Sequence, residues 1–325
     1  MDTKDISVVF FGSGPVAARS LELLARNFTI EAVVTKPRPA HHKGDVPVLD
    51  LCASDTPPAD TVLTVSNKRE LSELFAGTKF KSRVGVVIDF GIIISQDVID
   101  AFPLGIINSH FSLLPEWRGA DPITFSILSG QKQTGVSLMA IDAGLDTGRL
   151  LTFGVYDMDG TETTPYLSDY LVKLSDALLL KCLPQYVAGT LHASITQERA
   201  AATLGRSAEP TYSRKLTKED GILDFSKPAV QLEREIRAYA GWPKSRTTIG
   251  DKEIVITAAH VVPAAAVGNT DDSPIVAADT SPGSLWRSGK KFGFYTSEGI
   301  LAIDKLKPAG KQEMTAEAFI AGYRL

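Results

Sequence analysis

Over the first half of the chain, short apolar runs alternate with segments of helical periodicity. Ile6 to Phe11 is a nearly continuous apolar run that ends in Gly12-Ser13-Gly14-Pro15. Val16 to Leu24 then carries apolar residues at helical spacing. Strand, glycine turn and helix in that order predict the start of a doubly wound α/β domain. Further strands are predicted at Ile30 to Val34, Thr61 to Thr64, Val84 to Ile88, and from Ile106-Ile107 into Asn108-Ser109-His110. Strands that are apolar throughout, rather than alternating, imply a parallel sheet covered on both faces.

From Thr134 the pattern changes. Gly135 to Asp142 and Arg149 to Tyr156 read as strands joined by the turn Ala143 to Gly148, a hairpin at the edge of the domain. Thr163 to Tyr186 predicts a long amphipathic helix that closes it. Small and polar residues from about Gln197 to Pro210 read as a linker, placing one domain at 1–204 and a second at 205–325. In the second, Ile254 to Ile256, Gly283 to Trp286, Phe292 to Thr296 and Ile300 to Leu306 are short strand-like runs broken by turns. Leu232 to Ala240 is a helix. This pattern predicts a small β-barrel.

The length of 325 residues suits two cores. Apolar content of 44% and charged content of 22% are those of an ordinary globular chain. There is no apolar run of about 18 residues, so no membrane span is expected. The polar start, Met1-Asp2-Thr3-Lys4-Asp5, lacks the pattern of a signal peptide, and a cytoplasmic location is expected. Cys52 and Cys182 stand alone, without metal-like spacing, and are expected to be buried small hydrophobes. The net charge of −4 does not advertise a polyanion partner. Residues 1–204 balance at −6 and the remainder at +2, which permits a polyanion to lean on the C-terminal half.

Gly12 to Ala17 departs from G-x-G-x-x-G at its third glycine, and Val33-Val34-Thr35 offers no acidic residue after the second strand. The turn therefore reads as a tight strand-to-helix connection, with no dinucleotide cofactor expected. Thr35 to Asp45 is a polar, basic insertion containing Arg38, His41, His42 and Lys43. Such loops on a rigid scaffold are often functional. Two adjacent histidines do not make a metal site, and no metal is expected.

The stretch richest in chemistry is Asn108 to Ile123. Asn108 and His110 are two apart on a strand, so their side chains share a face. They stand at the carboxyl end of a predicted parallel strand, where open α/β sheets bind ligands. An amide donor and an imidazole aimed at one spot can hold an oxyanion and move a proton, as acyl transfer without a covalent intermediate requires. Asp146, in a glycine-flanked turn, is a candidate to orient the imidazole. Taken singly, Asn108 reads as a turn residue, His110 as a structural histidine, and Asp146 or Asp142 as the residue that closes the turn.

Together these residues carry a resemblance. Asn108-Ser109-His110, Ser112-Leu113-Leu114-Pro115, Arg118-Gly119, Pro122-Ile123 and Gly144-Leu145-Asp146-Thr147-Gly148 resemble, in order and spacing, the motifs of the folate-dependent formyltransferases. Asp89-Phe90-Gly91-Ile92-Ile93-Ile94 is similar to the family's pterin-pocket stretch, with Asp89 where a small apolar residue is usual and Ser95 where proline is usual. In the C-terminal half, Thr211 to Asp220, Gln231 to Pro243, Leu306 to Lys311 and Phe319 to Gly322 resemble the family as well, and the similarity is weakest from about Pro263 to Asp279. The resemblance implies a Rossmann-like catalytic domain followed by an OB-like domain. It implies that Asn108, His110 and Asp146 are catalytic. It also implies that Phe90, Gly91, Ile92 and Ile93 line the pterin pocket, and that Ser112, Leu113, Leu114 and Pro115 lie along the folate. The implied donor is 10-formyltetrahydrofolate. The implied acceptor is the amino group of methionyl initiator tRNA, with Arg38 and Lys43 on its acceptor stem and the OB-like domain gripping RNA. A monomer is implied. An amino sugar nucleotide or water are alternative acceptors, since surrounding loops choose the acceptor. Glycinamide ribonucleotide is less consistent, because that branch lacks the C-terminal half. A non-catalytic RNA- or folate-binding module is the reading from another class, and the intact trio argues against it.

Overall fold

The computed structural model describes residues 2–39, 45–263 and 280–323. The chain divides into two compact units. The first comprises Met1–Pro122, Gln133–Asp157 and Ser168–Arg214, and the second Ile123–Lys132, Met158–Leu167 and Lys215–Leu325.

From the N-terminus run β1 (Ser7–Phe11), α1 (Pro15–Asn27), β2 (Thr29–Thr35), α2 (Pro47–Cys52), β3 (Val62–Thr64), α3 (Lys68–Gly77), β4 (Val84–Val87), α4 (Gln96–Asp100) and β5 (Ile106–His110). There follow β6 (Arg118–Gly119), α5 (Pro122–Ser129), β7 (Gln133–Ala140), β8 (Leu150–Asp157), α6 (Thr164–Val187), α7 (Gln197–Thr203) and β9 (Tyr212–Ser213). Seven of the strands form one sheet in the order β3-β2-β1-β4-β5-β7-β8. β1 to β5 are parallel, and the β7–β8 hairpin adds to β5 antiparallel. β1 is central and Val8 to Phe11 are fully buried, which is why its sequence is apolar on both faces. On one face Phe11 packs within 5.7 Å, centroid to centroid, of both Phe75 and Phe90. Each such burial contributes roughly 1.5–3 kcal/mol. Gly85 on β4 leaves this cluster its room, since a Cβ there would lie 2.9 Å from Ile106 and 3.1 Å from Phe11.

The stretch expected to be a linker opens instead with helix α7. Thr196 caps it by accepting the amide of Arg199, and Glu198 and three alanines follow, all favourable to a helix. Composition alone hid this start signal. Cys182 is buried as expected, but Cys52 is only half-buried; even so, desolvation pushes its thiol up to about 11.

The second unit holds α8 (Ala229–Ala238), β10 (Ser245–Ile249), β11 (Lys252–Val262), β12 (Leu285–Ser288), β13 (Lys291–Tyr295), β14 (Ile300–Pro308), β15 (Met314–Thr315) and α9 (Ala316–Gly322). Its strands form an antiparallel curled sheet, a half-barrel, in the order β10-β11-β14-β13-β12, with β15 on β14. Phe292, Phe294, Ile254, Leu306, Leu232 and Phe319 are the centre of its core. Among the described residues no helix is long and apolar enough to cross a membrane.

Candidate active site

The order of the large sheet reverses at β1 and β4, which marks the crevice where open α/β sheets take ligands. The Gly12–Gly14 turn follows β1, and Asp89 follows β4. The Asp89 carbonyl accepts the amides of Ser13 (3.0 Å) and Gly14 (3.3 Å), and its carboxylate accepts the amide of Ala17 at the start of α1. An anion is favourable at that helix end, and the chain supplies its own. Glycine at position 14 leaves the carboxylate its room, since a Cβ there would lie 1.9 Å from Asp89 Oδ2. Asp89 is open to solvent at the crevice mouth yet ringed by protein. Loss of solvation, and then the charge of Asp121, push its carboxyl up to about 6 against the pull of Lys36 and the Ala17 amide. Lys36 donates to the Gly91 carbonyl at 3.0 Å, steadying the same loop.

One strand over, β5 is paired on both sides: Asn108 stands beside Val87 of β4 and Met139 of β7. The strand's two-residue alternation sends Ser109 to the other face, where its hydroxyl meets that of Ser175 on α6 at 2.6 Å. Asn108 and His110 share the opposite face, and Asp146 meets them. Asn108 Nδ2 donates to Asp146 Oδ1 at 3.3 Å, and His110 Nδ1 lies 3.8 Å from Asp146 Oδ2. Asp146 Oδ2 also accepts the Gly119 amide at 2.7 Å. The side chains of His110 and Asp146 are 6% and 14% exposed, so charge there is weakly screened. His110 Nε2 sits 2.9 Å from the carbonyl of Trp117, which can only accept, so Nε2 carries a proton. Nδ1 is therefore the nitrogen that faces Asp146.

Asp142 and Asp146, either of which could close the turn by sequence, take different positions. Asp142 Oδ1 accepts the Gly144 amide (3.0 Å) and the Thr147 hydroxyl (2.6 Å), so it ties the turn. Asp146, at φ +51, faces Asn108 and His110.

The other sequence-predicted residues are more scattered. Ser112, Leu113, Leu114 and Pro115 are buried at the end of β5, with Leu114 N donating to Ser137 Oγ at 3.1 Å. Phe90 is buried, Ile92 half-buried, and Gly91 and Ile93 exposed. Arg38 pairs with Asp50 of α2. The Val46 amide and Arg38 hold the Asp50 carboxyl below its usual range. Lys43, His41 and His42 lie outside the described residues.

What sequence reasoning missed lies in the stretch taken for a linker, about Gln197 to Pro210, and in the first residues after it. Gln197, buried at the start of α7, joins Arg118 to the Asp146 turn. Arg206 forms a two-pronged pair with Glu116. Thr211 Oγ1 accepts the Trp117 amide at 2.9 Å, and β9 pairs with β6. Gly119 permits that close approach, since at φ +103 a Cβ would lie 2.7 Å from the Ser213 carbonyl. The segment 197–213 is thus a strap over Glu116–Gly119. The cap at Thr196 was the one local signal for it.

Two family models match the chain: formyl transferase over residues 8–183, and the formyl transferase C-terminal domain over residues 215–324. The chain belongs to the formyl transferase family. It is 34% identical to a methionyl-tRNA formyltransferase of Nitrosococcus oceani, spanning 98% of this chain and 93% of that one. It is 32% identical to the enzyme of that name from Roseiflexus castenholzii, spanning 98% and 97%. Among solved structures, an N-formyltransferase from Helicobacter canadensis, in complex with folinic acid and dTDP-3-aminofucose, matches with a TM-score of 0.61 at 16% identity. That match covers 95% of this chain and all of the other. A methionyl-tRNA formyltransferase from Clostridium thermocellum matches with a TM-score of 0.50 at 15% identity, over 78% and 93%. At these identities the structural likeness is one of fold. The match to the first formyl transferase model spans Asn108, His110 and Asp146, and the named relatives are formyl-transferring enzymes.

Proposed function

We propose that this formyl transferase moves the formyl group of 10-formyltetrahydrofolate to the α-amino group of methionyl initiator tRNA, giving N-formylmethionyl-tRNA for translation initiation. The observation that carries the chemistry is the meeting of Asn108, His110 and Asp146 at the carboxyl end of β5. The names of full-length relatives support the acceptor.

In this mechanism the neutral amine attacks the formyl carbon and a tetrahedral oxyanion forms. One N–H of Asn108 is held by Asp146, and the second donates to the oxyanion. His110 accepts the amine proton at Nδ1. The imidazolium so formed lies between the Trp117 carbonyl and the Asp146 carboxylate and adds its charge to oxyanion stabilisation. The proton passes to the folate N10 as the carbon–N10 bond breaks, leaving tetrahydrofolate and the formylated amine. Phe90 to Ile93 and Ser112 to Pro115 bound the folate in this reading. Arg38 and Lys43 contact tRNA phosphates, with Arg38 exchanging Asp50 for a phosphate oxygen. The C-terminal half-barrel holds the tRNA body. The enzyme acts as a monomer and needs no metal.

The test is formyl transfer from 10-formyltetrahydrofolate to charged methionyl initiator tRNA, with elongator methionyl-tRNA and free methionine as controls. Formylation of the initiator alone is expected. Turnover only with an amino sugar nucleotide or water would leave the formyl-transfer site standing and remove the tRNA. Folate binding without turnover on any amine would make the chain a binding module.

A further inference from the structure

We propose that Gln197 is a positioning residue for formyl transfer, holding the turn that carries Asp146 in its reactive geometry. This rests on the reading of Asp146 as part of the catalytic trio.

Asp146 occupies the left-handed region of backbone space, which aspartate visits sparsely and keeps when its surroundings hold it there. Beside the contacts of the Asp146 carboxylate, two side chains among the described residues tie this turn. The local one, through Asp142, grips Gly144 and Thr147 and does not touch Asp146. The distant one is Gln197. Its Nε2 donates to the carbonyls of Asp146 at 2.8 Å and Gly148 at 3.0 Å, one on each side of Thr147. Its Oε1 accepts Arg118 Nε at 3.2 Å and Nη2 at 2.7 Å. A side-chain amide has two N–H donors and an oxygen with two lone pairs, so its whole capacity is used here, in a residue 3% exposed.

The Arg118 contact gives the clamp its meaning. Gly119 follows Arg118, and the Gly119 amide donates to Asp146 Oδ2. Gln197 therefore reaches Asp146 by two routes: directly through its main chain, and through the arm whose amide holds its carboxylate. A glutamine that only filled the core would need neither. Gln197 is itself placed by its flanks, since Thr196 caps α7 and Ile195 pairs with Leu150 of β8. Without the amide, the turn is free to rotate and carry the carboxylate away from Asn108 and His110.

The experiment compares Gln197→Met, which keeps volume but no polar atoms, with Gln197→Glu, which keeps the acceptor for Arg118 and loses both donors. Steady-state formyl transfer is read well below each variant's melting midpoint. In both, kcat is expected to fall at least tenfold with KM for 10-formyltetrahydrofolate within about twofold. A purely structural role would change KM together with kcat and would act independently of Asp146. Single-turnover transfer of labelled formyl then reads Gln197→Met in an Asp146→Asn background, where the further loss is expected to be under twofold. A kcat like wild type in Gln197→Met overturns the proposal, and so does a further tenfold loss in the Asp146→Asn background. A wild type that formylates no amine removes the reading of Asp146 beneath it, an outcome distinct from the other two.

Discussion

Residues 108–119 and 197–213 build one site and are written in different ways. In the first stretch, the important side chains have chemistry visible in their names: an amide and an imidazole. The second stretch is small and polar, with none of that chemistry. Yet Gln197, Arg206, Thr211 and Ser213 are what the Glu116–Gly119 arm rests on. A reactive residue is recognised by what it is. A supporting residue is recognised by what it touches, and contact across 79 to 96 positions of chain leaves no trace in local pattern.

The largest expected effect falls on the first stretch. Asn108→Ala and His110→Ala should each lower formyl transfer by about 10²–10³ or more, roughly 2.7–4 kcal/mol of transition-state stabilisation. Single-turnover assays on protein with unchanged ellipticity would check this, and near-normal turnover in either would remove that residue from the reaction.

The strap should respond in stability first. The side chains of Arg206 and Glu116 are only 16% and 18% exposed. Arg206→Met strands the Glu116 carboxylate, and a stranded, half-buried charge costs about 1–3 kcal/mol. Urea unfolding would measure it, and adding Glu116→Gln should recover part of the loss. If Arg206→Met unfolds like the wild type, the strap is ornament and the contrast between the two stretches collapses.

A third effect sharpens the contrast with a residue outside both stretches. The folded state keeps the Asp89 carboxyl protonated up to about 6, above its ordinary 3.8. With the folded value raised, the folded chain binds the extra proton between about 4 and 6. Its ionisation therefore removes stability as pH rises through that window. Asp89→Asn lacks this loss and should melt higher than the wild type at pH 8, with the gap closing as pH falls toward 4. A gap that stays constant across pH would show that the effect is not ionisation.

The smallest effect belongs to Arg38, whose pairing with Asp50 is 46% and 41% exposed. Arg38→Ala should change stability by about 0–1 kcal/mol. If Arg38 meets a phosphate, the same change weakens tRNA binding and flattens its salt dependence by somewhat under one unit of log–log slope. An unaltered slope would confine Arg38 to its partner on α2.

Much of this protein is legible without coordinates. The parallel strands of the first half are legible because strands buried on both faces must be apolar throughout, as Val8 to Phe11 are. The pairing of Asn108 with His110 is legible because strand side chains alternate, and Ser109 on the other face completes that pattern. β10 was not legible, since Ser245 to Ile249 is mostly polar and gains its identity from β11 beside it. Nor was the role of Asp89, a departure from family pattern whose partner, the start of α1, lies more than seventy positions upstream. By itself the sequence determined which residues can do chemistry and which runs must be buried, because reactivity and hydrophobicity are properties of side chains and their short-range periods. Only the tertiary structure decided which carboxylate seals the helix end and which segment holds the turn. Those are facts about distance, and distance between residues far apart in a chain is set by packing of the whole unit.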